Sequence, residues 1–126
     1  MKIEVKQNEL MNAINVANKA VSKNTNIQIH ELIYFEAKND TLTLTSSDGE
    51  ISIVTKANCK VVQEGEMAIN ANIIANIVRK LPDELIKIDL EDSKIKIKCN
   101  GSNFNILAFD YYEKKNFSIP SVDYLE

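Results

Sequence analysis

Between Leu10 and Lys23 the stretch LMNAINVANKAVSK carries Asn12, Asn15, Asn18, Lys19 and Lys23 and no Asp or Glu. A second stretch, from Asn72 to Lys80, carries Asn72, Asn76, Arg79 and Lys80 and is also free of acids. The chain around them is acidic, with 18 Asp and Glu against 15 Lys and Arg and a net charge of −3. Amide side chains donate hydrogen bonds, and cationic side chains displace counterions. Together that is the chemistry that grips a phosphate backbone. No aromatic residue is interleaved, so bases would not be stacked, and such contacts would be weak and blind to sequence. The competing reading is a solvated helix face, the usual fate of a charge run. Asparagine, a mediocre helix former, is an odd choice for solubility alone.

Other reactive residue types lead nowhere. His30 is the only histidine and sits beside Glu31, with no nucleophile or metal ligand indicated near it, so it reads as structural. Asp48 and Glu50, and the pair Glu91–Asp92, lack the ligand spacing of a calcium loop and fall in expected turns. Gly49, Gly65 and Gly101 form no phosphate-binding loop. Cys59 and Cys99 are too few and too far apart for a disulfide scaffold or a zinc site, and read as small apolar residues of a reducing compartment. Tyr111 and Tyr112 read as packing aromatics of the tail. The expectation is no catalytic residue, no metal and no cofactor.

The elements that must position the polar faces follow from periodicity. KIEVK (2–6) alternates as a half-buried strand, and Asn8 is placed to cap a helix whose apolar face is Leu10, Ile14, Ala17 and Val21. After a polar loop, ELIYFEA, TLTLTS and EISIVTK read as three strands, turning through KND and SSDG. The plan then repeats. EMAI is a short strand, and Asn70 or Asn72 caps a helix with Ile74, Ile77, Val78 and Leu81 on its apolar face. Pro82 stops that helix, and LIKIDLE, KIKIK and NFNILAF supply three more strands across turns at EDS and NGS. Laying Leu10 on Ile74 offsets the copies by about 64 residues.

The expected fold class is therefore α+β: a duplicated β-α-β-β-β unit with two helices packed on antiparallel sheets. At 126 residues it fits one domain, 1–126, with the segment 111–126 leaving as a linker. The outward helix positions would be Asn8, Asn12, Asn15, Lys19, Ser22 and Lys23 on the first helix and Asn72, Asn76, Arg79 and Lys80 on the second. The four basic residues against Glu9 give the helices +3, which leaves −6 for the rest of a chain totalling −3. That places the acids in strands, turns and tail. The chain opens directly into strand pattern and has no apolar run long enough for a membrane span, so a cytoplasmic location is expected.

With these features in order, the chain resembles the N-terminal domain of the bacterial DNA polymerase III beta subunit family, the sliding clamps. The resemblance runs over essentially all 126 residues. It rests on NELMNAINVANKAV as the first helix, on LTLTSSDGEISI with Thr45, Asp48 and Glu50, on NIVRKLPD as the most specific piece, and on NFNILAFD as the last strand before a linker beginning at FSIP.

The resemblance implies a DNA-clamp fold and a non-catalytic processivity factor. A homodimeric ring, each subunit with three such domains, is threaded by double-stranded DNA without sequence specificity and tethers DNA polymerase III after loading by a clamp loader. The helices would line the hole, with Asn12, Asn15, Lys19, Lys23, Asn24, Asn72, Asn76, Arg79 and Lys80 facing DNA. The family carries basic residues at or beside Asn24 and at Asn72, where this chain has asparagine, which leaves Lys23 to stand in for the former. A proline usual near Gln28 is absent. Phe104 and Ile106 on the last strand map to the subunit contact, and on pattern alone they read equally well as core residues. The chain holds the first domain only, as an excised domain or a truncated relative, and by itself would neither close a ring nor offer the family's polymerase pocket. The rival class is a small protein-interaction module with no DNA role.

Overall fold

Alternation in KIEVK becomes β1 (Lys2–Lys6), which buries Ile3 and Val5 and leaves Lys2 and Lys6 exposed. The computed structural model describes residues 1–21 and 31–108. After β1 come α1 (Gln7–Ala17), β2 (Leu32–Lys38), β3 (Thr41–Ser47), β4 (Ser52–Gln63), β5 (Gly65–Asn70), α2 (Ala71–Lys80), β6 (Leu85–Glu91), β7 (Lys94–Cys99) and β8 (Ser102–Leu107). The strand–helix–strand–strand–strand plan is present twice, as expected.

Three hairpins close on two-residue turns whose residues need positive φ: Asn39–Asp40, Asp92–Ser93 and Asn100–Gly101. Backbone of that hand matches the twist of the flanking strands, and Asn, Asp and Gly tolerate it best. The β3–β4 turn is held by Asp48, whose Oδ1 accepts from the N–H groups of Glu50 (2.8 Å) and Ile51 (2.9 Å). Asp48 thereby does structural work at the motif that carries the resemblance.

The strands lie in the order β5-β2-β3-β4-β1-β6-β7-β8, with every pair antiparallel. Each unit lends its first strand to the other: β1 pairs with β6, and β5 pairs with β2. β4 runs well past the expected EISIVTK because Ala57, Cys59 and Val61 continue the inward alternation. Residues Ser52 to Asn58 pair with β3, and Cys59 onward pairs with β1, so a single strand joins the two halves. Where β3 has ended, Asp40 takes over as acceptor: its carboxylate receives the Val61 N–H at 3.0 Å and its carbonyl the Cys59 N–H at 3.3 Å.

Both helices lie on one side. α1 buries Leu10, Ala13, Ile14 and Ala17, and α2 buries Ala71, Ile74, Ala75 and Val78. They share one continuous core with Phe35, Leu44, Ile86, Ile88, Ile95 and Ile97. Each fully buried Leu or Ile contributes about 1.5–3 kcal/mol relative to exposure.

The helix starts differ from each other. Asn70 caps α2, its Oδ1 accepting the Ile73 N–H at 3.1 Å, whereas Asn72 lies inside the helix. Asn8 does not cap α1. The helix begins one residue earlier, at Gln7, and the capping residue Lys6 makes no side-chain cap. The Gln7 N–H donates instead to the Glu84 carbonyl at 3.0 Å, a partner supplied by the other unit. α2 ends at Lys80, and Leu81, ahead of Pro82, is extended (φ −80, ψ 150), as a residue before proline prefers.

Candidate nucleic-acid interface

Two tertiary hydrogen bonds fix how the helices run. The Gln7 side-chain amide donates to the Val78 carbonyl at 2.9 Å, which puts the first turn of α1 against the last turn of α2. At the far end, the buried Ser46 hydroxyl donates to the Ala17 carbonyl, one of the terminal carbonyls that α1's own ladder leaves over. Ser46 follows Thr45, which pairs with Tyr34, and Leu32 two residues before pairs with Asn70, the α2 cap. The end of α1 and the start of α2 therefore share one end of the sheet, and the two helices lie antiparallel.

That arrangement decides where the expected residues fall. Asn12, Asn15, Lys19, Asn72, Asn76, Arg79 and Lys80 are all exposed on the side away from the sheets. The structure does not gather the cations into one cluster. Arg79 and Lys80 sit beside the start of α1, and Lys19 lies beyond its end, roughly 18 Å away along the helix axis at 1.5 Å per residue. Asparagines occupy the span between. Arg79 and Lys80 complete the last turn of α2, where cations also complement the helix dipole. Arg79 is oriented by its own helix: its Nη1 donates to Asn76 Oδ1 at 3.1 Å. Among the described residues none of Lys19, Arg79 and Lys80 is in an ion pair. Glu9, half-buried in the first turn of α1, is the one acid on these helices. Ser22, Lys23, Asn24, Gln28, His30, Tyr111, Tyr112 and the segment 111–126 lie outside the described residues.

The described acids away from the helices divide between strands, at Glu4, Glu36, Glu66, Asp89 and Glu91, and connections, at Asp40, Asp48, Glu50, Glu64, Asp83, Glu84 and Asp92. The outer face of the β4-β1-β6-β7 stretch of the sheet is rich in lysine: Lys2 and Lys6 on β1, Lys60 on β4, Lys87 on β6, and Lys94, Lys96 and Lys98 on β7, against Glu4, Asp89 and Glu91. The signal was present in KIKIK, where lysine takes every outward position.

Phe104 and Ile106 are half-buried, turned to the core face opposite Ile97 and Ile95. β8 pairs only with β7 among the described strands, so its other edge carries free backbone groups there. Both thiols are poor nucleophiles. Burial, with Asp40 nearby, pushes Cys59 up to about 11, and burial raises Cys99 as well, with Glu84 adding to it. No group of His, Cys, Asp and Glu able to hold a metal occurs among the described residues, and no described helix is long and apolar enough to cross a membrane.

The model of the family described as DNA polymerase III beta subunit, N-terminal domain, matches residues 1–118. The beta sliding clamp of Halalkalibacterium halodurans is 35% identical over 121 residues, covering 89% of this chain and 32% of that protein. That of Rickettsia felis is 32% identical over 109 residues, covering 86% of this chain and 29% of that protein. Among solved structures, the Helicobacter pylori beta clamp bound to a DNA ligase peptide superposes with a TM-score of 0.88 at 28% identity, over 98% of this chain and 34% of that one. The chain thus spans about a third of the length of the relatives it matches. With the doubled unit, the paired helices and the match across nearly its whole length, this chain belongs to the DNA polymerase III beta subunit family, in its N-terminal domain.

Proposed function

We propose that this chain is the first domain of a sliding clamp, a non-catalytic processivity factor that encircles duplex DNA without reading its sequence and tethers DNA polymerase III. The observation that carries the reading is the pair of antiparallel helices whose outward faces are mainly asparagine, lysine and arginine, with Val16 and Ile73 the exposed apolar groups among them, in a chain whose relatives are named beta sliding clamps. Cations at both ends of the helix layer with amides between them make a band, suited to touching phosphates along a groove rather than gripping one. Lys23 and Asn24 extend that band in this reading. Bases are left untouched, and the surface can slide.

In the same reading the longer protein is a cytoplasmic homodimeric ring, and polymerase and clamp loader engage parts of it outside this chain. The edge of β8 is the seam with the neighbouring subunit. Phe104 and Ile106 anchor that strand from the core side, and Leu107, 72% exposed, is its outward apolar group. No residue of the chain has a chemical step to perform, and neither a metal nor a cofactor is required.

The test is to change Lys19, Lys23, Arg79 and Lys80 together to Glu in the full-length protein. Retention on nicked circular DNA should be lost while the melting temperature stays the same. Unchanged retention would refute the assignment. Any residual affinity for duplex should fall steeply with salt, since it comes from counterion release. A salt-insensitive contact would favour a protein partner instead.

A further inference from the structure

The lysines on the sheet face away from the helices have no part in the function proposed above. β7 sets Lys94, Lys96 and Lys98 in a row on that face, all exposed, at a repeat of about 6.8 Å. Glu91 lies 3.4 Å from Lys96, and Asp89 lies 3.8 Å from Lys2. Lys98 is in no ion pair among the described residues; it stands directly opposite Lys87 on one side and Asn103 on the other. Like charges facing each other across strands destabilise a sheet. Glu4, on the far flank of Lys87, faces Lys60 as well and cannot neutralise both. Protection of an edge does not explain the row either. Lysines do blunt edge strands, but among the described strands the edge here is β8, whose outward residues are Asn103, Asn105 and Leu107, and the lysines lie further in.

We propose that this face is a second anion platform, and that it takes the phosphate backbone of a nucleic-acid strand. A lysine every 6.8 Å or so can meet successive phosphates of a strand, because the winding backbone separates neighbouring phosphates by more than their axial rise of about 3.4 Å. Asn103 and Asn105, opposite Lys98 and Lys96, add neutral donors beside the cations. No aromatic side chain points outward from β6, β7 or β8, so the contact is electrostatic and blind to sequence. The platform and the helices lie on opposite sides of the sheet, so a duplex held by α1 and α2 does not reach it. The strand it takes is a different segment, and the proposal stands independently of the ring.

The test uses the 126-residue chain with a short duplex of random sequence at low salt, following lysine acetylation by mass spectrometry. DNA should protect Lys94, Lys96 and Lys98. Changing those three to Gln should make the slope of log K against log salt shallower by about three, at roughly 0.9 per lost phosphate contact. Changing Lys19, Arg79 and Lys80 to Glu should leave the protection of β7 in place, which separates this platform from the helix face. Protection confined to Lys19 and Lys80 would overturn the proposal. So would protection by polyglutamate but not by DNA, which would assign the face to an acidic protein segment. The footprint is read on the unaltered chain and does not depend on any variant folding.

Discussion

The two units of this domain reach the same shape by different means. The second closes on its own neighbours in sequence: Asn70 caps α2, and Pro82 ends it. The first is closed from a distance. α1 receives the Glu84 carbonyl at its start, its Gln7 side chain grips Val78, and Ser46 of β3 holds its last carbonyl. The strands are shared too: β1 pairs with β4 of its own unit and with β6 of the second, and β5 pairs with β2 of the first. The first unit is thus completed by the second, and a duplicated plan behaves as one body.

The strongest way to break that comparison is in the core. Leu10 and Ile74 are equivalent positions, both fully buried in the shared cluster. Leu10→Ala and Ile74→Ala should each lower stability by about 2–5 kcal/mol, the transfer loss plus the cavity left behind. Both variants should still unfold in a single transition by circular dichroism and tyrosine fluorescence. Two separated transitions in either would mean that the units hold themselves together independently.

A smaller effect tests the point where the units meet. Gly65 opens β5, and the same offset that lays Leu10 on Ile74 lays Met1 on Gly65. A Cβ on Gly65 would stand 2.8 Å from the Met1 Cβ and 3.0 Å from its Cα and N. The Met1 carbonyl accepts the Leu90 N–H at 2.8 Å, which ties that residue to β6 and resists its displacement. Gly65→Ala should therefore cost about 1–3 kcal/mol by overpacking. A change within 0.5 kcal/mol, about the size of an ordinary surface substitution, would show the junction to be loose.

The same contrast explains what could be read in the sequence. Signals that act within a few residues were legible: the Asn39–Asp40, Asp92–Ser93 and Asn100–Gly101 turns, the Asn70 cap, the stop at Pro82 and the alternation of β1, β6 and β7. Signals that act across the fold were not. Nothing in KIEVK says that β1 bridges from β4 of its own unit to β6 of the other, and Glu84 serves α1 through a carbonyl that any residue would supply. Asn8 looked like a cap because the true one has no side-chain signature. Periodicity gave the face of Phe104 and Ile106 but could not say that β8 is an edge among the described strands. The polar helix faces were legible residue by residue, while their separation into two basic ends follows from the antiparallel packing. Summing the helices against everything else also merged acidic turns with basic strands, which hid the lysine face.

The smallest effect is the sharpest discriminator, because it compares like with like. Asn8 and Asn70 each lie near the start of a helix, and sequence alone would assign both the same duty. In the fold only Asn70 accepts a helix N–H, so Asn70→Ala should cost about 1 kcal/mol, the usual worth of such a cap. Asn8 is exposed within the first turn of α1, and alanine is the better helix former there, so Asn8→Ala should be neutral or stabilising by up to about 0.7 kcal/mol. Urea denaturation of the two variants, with unchanged m-values, measures the difference directly. If both lose equal stability, Asn8 is serving as a local cap, and the first unit would not need the Glu84 carbonyl. If only Asn70→Ala is weakened, the start of α1 is secured by backbone from the second unit, and α1 should form only once the α2–β6 connection is in place.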